Sequence, residues 1–543
     1  MFADLIVVNA DIVTLDPFTS RAQAMAVAKG KILALGDTAT IRAFSNSTTS
    51  VVDAGGRMML PGLQDTHIHL QDSGYDYSIS AVLDDARSAE ELIAILRSFA
   101  KHRQSGWVAG VGWYTGVFND TNLTRHTLDA AIPDLPCFII GSDGHNACLN
   151  SSGCQALGLD ATTEDPAGGH FVRDEAGYPT GMLHEAAVTW AQARMPGPQD
   201  ADYAEGVKYG QALANRHGIT GVIDASVNER HARVYRGLSK EGALTLRVAA
   251  AARVDPSEDT QDALQRLIAM RHDARGVDMF KVHSAKFFLD GVFENRTATM
   301  LADYSDSIGG NAALLFPADQ VRELFTAFDA ARFQIHAHVI GDGAVRAALD
   351  GLEAGRRANG AWPAFHQLAH IQSIDPADVG RLSALGATAN IQPFWARNAP
   401  SVTEVTLPMV GEERRDLIYA FRTLLDAGAD FALSSDWGVT TLNPFRIMEC
   451  AMTRQPPGGA GVAPFLPEQR MTRQECLAGY TVNAARAAWR GQKTGRLAPG
   501  FHADFILLDR DVLNCDPYSL GETQVLLTYL GGAEVWRSTE FDG

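Results

Sequence analysis

Hydrophobic and polar positions follow a regular order along the chain from about residue 205 onward. Apolar runs typical of buried strands are separated by amphipathic segments in which apolar residues recur every three or four positions, the period of a helix. The strand-like runs are the segment that leads to His67 and residues 219–224, 245–250, 280–289, 333–338, 365–370, 387–391 and 431–435. Eight strands that alternate with helices predict an α/β fold, a (β/α)8 TIM barrel.

The two ends of the chain have a different texture, with short strand-like runs separated by turns. Residues 1–60 are too short to bury a robust core alone, and residues 485–543 have a similar β-rich texture, so we expect the two segments to form one composite β-sandwich. The barrel then occupies residues 61–484. Within it, residues 71–205 lose the strand–helix alternation and contain a loop-like run near 165–179. We interpret this stretch as an insertion after the first barrel strand, with the role of a lid.

Composition and charge exclude several classes of partner. The chain has 543 residues, of which 46% are hydrophobic and 20% charged, the balance of an ordinary globular protein. Its net charge of −18 argues against nucleic acid and anionic membranes as partners. No basic segment precedes the first apolar run, and the six cysteines include no Cys-x-x-Cys motif. We therefore expect a cytoplasmic protein with reduced cysteines.

A pair of histidines follows the first barrel strand. His67 and His69 are two positions apart, so on an extended strand both imidazoles point to the same side, as metal ligands require. A pair of hydrogen-bonded histidines in a turn is the alternative for an isolated His-x-His motif.

Other candidate ligands lie at the predicted ends of later strands, which meet at the same rim of a TIM barrel. They are Lys286 after strand four, His336 and His338 after strand five, His370 after strand six and Asp436 after strand eight. Imidazole and carboxylate ligands suit Zn²⁺, which can activate a water molecule and polarise a carbonyl. The set therefore indicates a hydrolytic site that holds one or two divalent ions.

Several motifs follow one another along the chain. They are Pro61-Gly62-Leu63 with His67 and His69, Gly181-Met182-Leu183-His184-Glu185, Lys286-Phe287-Phe288-Leu289-Asp290-Gly291, His338 with Gly341-Asp342, His370, Ser435-Asp436-Trp437, Tyr480-Thr481-Val482-Asn483-Ala484-Ala485 and Gly495-Arg496-Leu497-Ala498-Pro499-Gly500. Their order resembles the amidohydrolase superfamily, and within it the YtcJ-like branch that includes N-substituted formamide deformylase. The resemblance covers nearly the whole chain.

The resemblance implies a role for each ligand. His67 and His69 would hold the more buried ion, and His338 and His370 the second. Lys286 would be carboxylated on its amine to N6-carboxylysine and bridge the two ions. A salt bridge between Lys286 and Asp290, or another nearby carboxylate, is the alternative.

Asp436 would contact metal and shuttle the proton. His336 and His338 share one strand face, so periodicity does not separate them. His338 is preferred as the ligand because it stands three residues before Gly341, in the family's His-x-x-Gly-Asp pattern, and His336 is expected to lie behind the ligands.

One segment departs from the family pattern. The family usually has Arg-Ile-Glu-His at strand six, whereas this chain has Gln367-Leu368-Ala369-His370 and so lacks a charged pair beside the ligand.

His145, Trp113 and Trp437 are candidate substrate contacts. The alternative for His145 is a place in a surface turn, and the alternative for Trp113 and Trp437 is packing without contact to substrate.

We expect a metal-dependent enzyme that hydrolyses a carbon–nitrogen bond other than a peptide bond, in an N-substituted amide or formamide, through a metal-activated hydroxide. The same site also suits lactam, carbamate, ester or aminohydrolase (deaminase) chemistry, and a non-catalytic binding or regulatory protein is a further alternative. The expected partners are a small amide-type substrate and further copies of the chain in a dimer or larger homo-oligomer.

Overall fold

A computed structural model describes residues 2–84, 86–101, 106–114, 117–142 and 144–541. Contacts group the chain in two compact units, residues 1–69 with 211–543, and residues 70–210. The stretch expected to be an insertion, 71–205, lies within the second unit. Among the described residues, no helix is both long and apolar enough to span a membrane.

The first unit contains a parallel sheet of eight strands in sequential order, nearly closed into a barrel. We number these strands β1 to β8: Leu63–Ile68, Ile219–Val227, Arg247–Arg253, Phe280–Phe288, Gln334–Val339, Gln367–His370, Thr388–Ile391 and Asp430–Leu433. The backbone N–H of Asp436 donates to the carbonyl of His67 across the remaining gap between β8 and β1, over 2.8 Å. The predicted (β/α)8 TIM barrel is confirmed.

Helices follow the barrel strands and also occur in the rest of the chain. They are Thr38–Arg42, Leu70–Ile79, Ala89–Ala100, Arg125–Ala131, Ser151–Leu157, Ala186–Gln192, Asp200–Arg216, Glu229–Lys240, Thr260–Asp273, Ala318–Ala330, Asp342–Asn359, Pro376–Leu385, Leu407–Val410, Phe421–Asp426, Pro444–Thr453, Arg473–Tyr480 and Val482–Ala487. Short 3₁₀ segments span Pro393–Trp395, Glu412–Leu417, Pro467–Gln469 and Pro517–Glu522, and a π-helix spans Ser401–Thr406.

The helix after β6 illustrates how the sequence sets these bounds. The side chain of Asp375 accepts a hydrogen bond from the backbone of Ala377, and Pro376 occupies the first helical position. Gly386 ends the helix in a left-handed conformation, with φ of 67°. Cap, proline and glycine together predict the observed helix Pro376–Leu385.

The two chain termini form two further sheets. One sheet has the order Lys31–Gly36, Ala24–Ala28, Leu5–Val8 and Ser50–Asp53, and the other Ala533–Arg537, Val525–Leu530, Phe505–Leu508, Met58–Pro61, Asp11–Val13 and Arg21–Ala22. Leu5, Met59, Phe505 and Leu527 share one buried core. The composite sandwich expected from both termini is therefore present.

A buried ion pair joins this sandwich to the barrel. Arg247 on β3 donates through Nε and an Nη to the two carboxylate oxygens of Asp504, over 2.7 and 2.9 Å. Two parallel bonds of this kind fix both distance and orientation.

The 70–210 unit contains a sheet of its own, in the order Gly169–Arg173, Pro179–Glu185, Asn146–Leu149, Cys137–Gly141, Val108–Trp113 and Ser80–Val82. The expectation of a loop near 165–179 was wrong for its central part. Gly169–Arg173 pairs antiparallel with Pro179–Glu185, and the turn between them is closed by hydrogen bonds between Asp174 and Tyr178. Strands this short, flanked by turn residues, contain too few positions for the alternation of apolar and polar residues to predict them.

Candidate metal centre

His67, His69 and Asp436 converge at the carboxyl ends of β1 and β8. One ligand atom from each of the three lies within 4.8 Å of the others. Asp436 Oδ1 is 3.6 Å from Nε2 of His67 and 3.3 Å from Nε2 of His69. We call these three residues the His–Asp cluster.

Hydrogen bonds to the backbone hold the His–Asp cluster in place. The buried carboxylate of Asp65 accepts from the backbone N–H of His67 over 3.1 Å and from that of Ser435 over 3.1 and 3.2 Å. Asp436 itself has a φ of 55°. A non-glycine residue in this left-handed region is strained by about 1 kcal/mol or more, a cost that functional sites often carry.

The two histidines of β5 occupy different surroundings. Nε2 of His336 lies 2.9 Å from Nδ1 of His67, so His336 contacts the back of that imidazole. The ring of His338 lies 4.5 Å from that of His370, and its Nε2 is 3.1 Å from the carbonyl oxygen of Gly291. The preference for His338 as ligand stays a prediction, and the position of His336 fits a residue that orients His67.

His370, the last residue of β6, lies beside the other candidate ligands. Its ring centroid is 4.9 Å from that of His67, and it stacks on Trp395 at 5.2 Å with 3° between the ring planes. His370 also has a left-handed backbone, with φ of 80°. Stacking and backbone together restrict the direction in which its two nitrogens point.

Lys286 is fully buried on β4, beside His336 in the register of the two strands. Its Nζ lies 4.4 Å above the ring of Phe288 and has no hydrogen-bond partner among the described residues. The alternative salt bridge is not formed: Asp290 instead accepts from the backbone N–H groups of Thr299, Ile340 and Gly341.

Burial controls the charges of this region. It lowers the pKa of Lys286 to about 7 and that of His370 to about 4, and holds the pKa of His67 well below its usual range. Burial alone would raise the pKa of Asp436, but the imidazole of His69, 3.3 Å away, and the charge of His370 bring that pKa to about 2. His67 and His370 are thus neutral beside an ionised carboxylate, the protonation states in which these groups bind metal. The pKa of His69 is instead raised, because the interaction with Asp436 outweighs the effect of burial.

The three candidate substrate contacts lie in unlike places. Trp437 is buried, and its carbonyl accepts from the backbone N–H of His69 over 2.8 Å. Trp113 is buried in the core of the 70–210 unit against Phe118, a position typical of packing. His145, in the same unit, is about two-fifths exposed and pairs with Glu185 over 2.9 Å. Their roles toward substrate stay predictions.

Sequence reasoning did not single out Asp65, Gln392 or Trp395. Asp65 could have been found, because it lies two residues before His67 in the same run and shares its strand face. Gln392 and Trp395 carry no such signal, since neither belongs to a spaced motif.

The residues present fit a divalent ion. Oδ1 of Asp436 and Nζ of Lys286 are buried polar atoms without hydrogen-bond partners in the described part of the chain, and such atoms are costly unless a ligand satisfies them. Imidazole nitrogens and a carboxylate oxygen are the donors that Zn²⁺ prefers.

The barrel and the His–Asp cluster together define a class of protein, a TIM barrel with a candidate metal site at the carboxyl ends of its strands. A profile of the amidohydrolase family matches residues 50–536, most of the chain, and the chain therefore belongs to the amidohydrolase family.

Individual relatives extend over nearly the full length. The chain is 28% identical to N-substituted formamide deformylase of Arthrobacter pascens, covering 99% of both chains. It is 24% identical to the putative amidohydrolase YtcJ of Bacillus subtilis, covering 96% of this chain and 97% of that one. The crystal structure of an uncharacterized metal-dependent hydrolase from Pyrococcus horikoshii has the same fold, with a TM-score of 0.76 at 24% identity over 94% of this chain and 99% of the other. The predicted superfamily and its YtcJ-like branch are confirmed.

Proposed function

We propose that the chain hydrolyses a carbon–nitrogen bond other than a peptide bond, in an N-substituted amide or formamide. The observation that carries this proposal is the His–Asp cluster, with three ligand atoms within 4.8 Å of one another at the barrel rim. The similarity to N-substituted formamide deformylase over nearly the whole chain supports the substrate class.

His67, His69 and Asp436 would hold one ion, and His338 and His370 a second. Lys286 would join the two sites as a carbamate: its neutral amine forms an N–C bond to carbon dioxide and releases one proton. A free ammonium could not act as a ligand, because it has only donors. The buried and unpaired Nζ of Lys286 supports this modification.

A Zn²⁺ ion bound there would supply an acidic water and polarise the scissile carbonyl. Asp436 accepts the proton as the water oxygen attacks the carbonyl carbon. It then passes the proton to the amine nitrogen while the carbon–nitrogen bond breaks, leaving an acid and an amine. Its low pKa keeps the carboxylate ionised and ready for the first of these transfers.

The alternatives at the same site are lactam, carbamate, ester and aminohydrolase chemistry. The purified full-length chain, loaded with zinc, is assayed against a panel with one series for each of these bonds and one of N-alkylformamides. We expect release of formate and amine from the formamides, and a loss of about 100-fold or more in kcat/KM for Asp436→Asn. Asp511→Asn is the surface control and should match the unmodified protein.

Turnover confined to another series would reject the amide assignment and leave the metal centre intact. No turnover with any series by a zinc-loaded chain would favour a binding or regulatory protein. Full activity of Asp436→Asn would reject the proton shuttle.

A further inference from the structure

Five buried polar side chains form one continuous chain of hydrogen bonds inside the barrel and end at His370. Each is nearly or completely inaccessible to solvent. In order from the amino end of β5 they are Gln334, Gln367, Asn390, Ser434 and Gln392. We call them the amide chain.

The direction of the amide chain is fixed at its far end. Nε2 of Gln334 donates to the backbone carbonyls of Ala364, Phe365 and Ala487, over 3.1, 2.7 and 2.9 Å. Carbonyl oxygens only accept, so the NH₂ group of Gln334 must face them. Its Oε1 is therefore left to accept from Nε2 of Gln367 over 2.8 Å and from Oγ of Ser284 over 2.7 Å.

The same reasoning passes from one side chain to the next. With the NH₂ group of Gln367 committed, its Oε1 accepts from Nδ2 of Asn390 over 2.7 Å. That nitrogen also donates to the carbonyl of Thr66 over 3.0 Å. Oδ1 of Asn390 then accepts from Oγ of Ser434 over 2.6 Å and from Nε2 of Gln392 over 3.0 Å.

The last link reaches the imidazole. Because the NH₂ group of Gln392 donates to Asn390 and Ser434, its Oε1 faces Nδ1 of His370, 2.9 Å away. An amide oxygen only accepts, so Nδ1 of His370 carries the proton. Nε2 is then the nitrogen with a free lone pair, on a ring whose orientation is held by Trp395.

We propose that Gln392 is a positioning residue for His370, and that the amide chain fixes the tautomer in which Nε2 is available to bind metal. The inference rests on the proposed function, in which His370 is a ligand. It also gives the Gln367-Leu368-Ala369-His370 segment a role, because Gln367 is a link of the amide chain rather than a charged neighbour of the site.

The test is the zinc affinity of the full-length protein, measured by competition with a chromogenic chelator and so independent of turnover. Gln392→Leu removes the acceptor for Nδ1, and we expect zinc to bind about 10–100-fold more weakly. Gln392→Glu keeps an acceptor for Nδ1 of His370 but loses the NH₂ group that faces Asn390 and Ser434, so its zinc affinity should lie between those of Gln392→Leu and the unmodified protein. Gln469→Leu, at an equally buried glutamine outside the amide chain, is the matched control and should be unchanged.

Gln367→Leu breaks the chain two links away and gives a second measurement if Gln392→Leu fails to fold. It should weaken zinc binding several-fold. Unchanged affinity in both leucine variants would overturn the inference, and so would a Gln392→Glu variant as weak as Gln392→Leu.

His370→Ala separates the inference from the proposed function. A loss of zinc from this variant, together with normal affinity of Gln392→Leu, would overturn the inference alone. Normal zinc affinity and content of His370→Ala would mean that His370 is not a ligand, and the metal centre itself would need revision.

Discussion

Two regions of the barrel rim each bury a carboxylate, and they treat it in opposite ways. At the junction behind β4 and β5, Asp290 accepts three backbone hydrogen bonds of 2.9 to 3.0 Å, from Thr299, Ile340 and Gly341. In the His–Asp cluster, Oδ1 of Asp436 is equally buried and has no hydrogen-bond partner in the described part of the chain.

The two carboxylates therefore have different roles, Asp290 in the fold and Asp436 in the candidate metal centre. Asp290 holds two loop segments together, and Gly341 permits their close approach, since a Cβ there would lie 2.0 Å from the carbonyl oxygen of Thr299. Burial raises the pKa of Asp290 to about 7, whereas that of Asp436 is about 2. Asp436 therefore stays ionised with one oxygen that no described residue occupies by a hydrogen bond, as a metal ligand requires, whereas backbone donors occupy both oxygens of Asp290.

The largest expected effect concerns activity. Asp436→Asn removes the proton acceptor and a metal ligand, so kcat/KM on the best amide substrate should fall by about 10³-fold. Asp290→Asn leaves the His–Asp cluster unchanged, so this variant should lower kcat/KM by no more than about tenfold. The measurement is kcat/KM of the two purified variants. Equal losses in both would contradict the different roles assigned to the two carboxylates.

The same two variants should reverse their order in stability. Asp290→Asn places an amide nitrogen against backbone donors, so the free energy of unfolding should fall by about 2–4 kcal/mol. Asp436→Asn removes the contact of the ionised carboxylate with His69, which the low pKa of Asp436 reflects, so the free energy of unfolding of the metal-free protein should fall by a smaller amount, about 1 kcal/mol. Urea unfolding of the metal-free proteins tests both; a larger loss in Asp436→Asn would contradict the assignment.

Two lysines of β4 extend the comparison with a smaller effect. Nζ of Lys281 donates to the carbonyl of Ala488, whereas Nζ of Lys286 has no such partner. Lys286→Met should therefore raise the free energy of unfolding of the metal-free protein by about 1–2 kcal/mol, and Lys281→Met should lower it by about 1 kcal/mol. Thermal unfolding, followed by circular dichroism, shows whether the two substitutions change the free energy of unfolding in opposite directions or in the same direction.

Much of the barrel could be predicted because apolar runs and helical periods are local properties. The expected run 365–370 begins two residues before β6, since Phe365 has a φ of 51° and cannot continue a strand. His67, His69 and Asp436 were predictable from their places after strands. The amide chain was not, because glutamine and asparagine in apolar runs show no charge or spacing, and their partners are distant in sequence.

The most direct test of the account is the metal content of the purified full-length protein, by elemental analysis, beside that of Lys286→Ala and Lys281→Ala. We predict about two zinc-like ions per chain, which fall to about one or fewer in Lys286→Ala and stay unchanged in Lys281→Ala. About one ion in all three proteins would show that Lys286 is structural, and no metal after gentle purification would contradict the proposed metal centre.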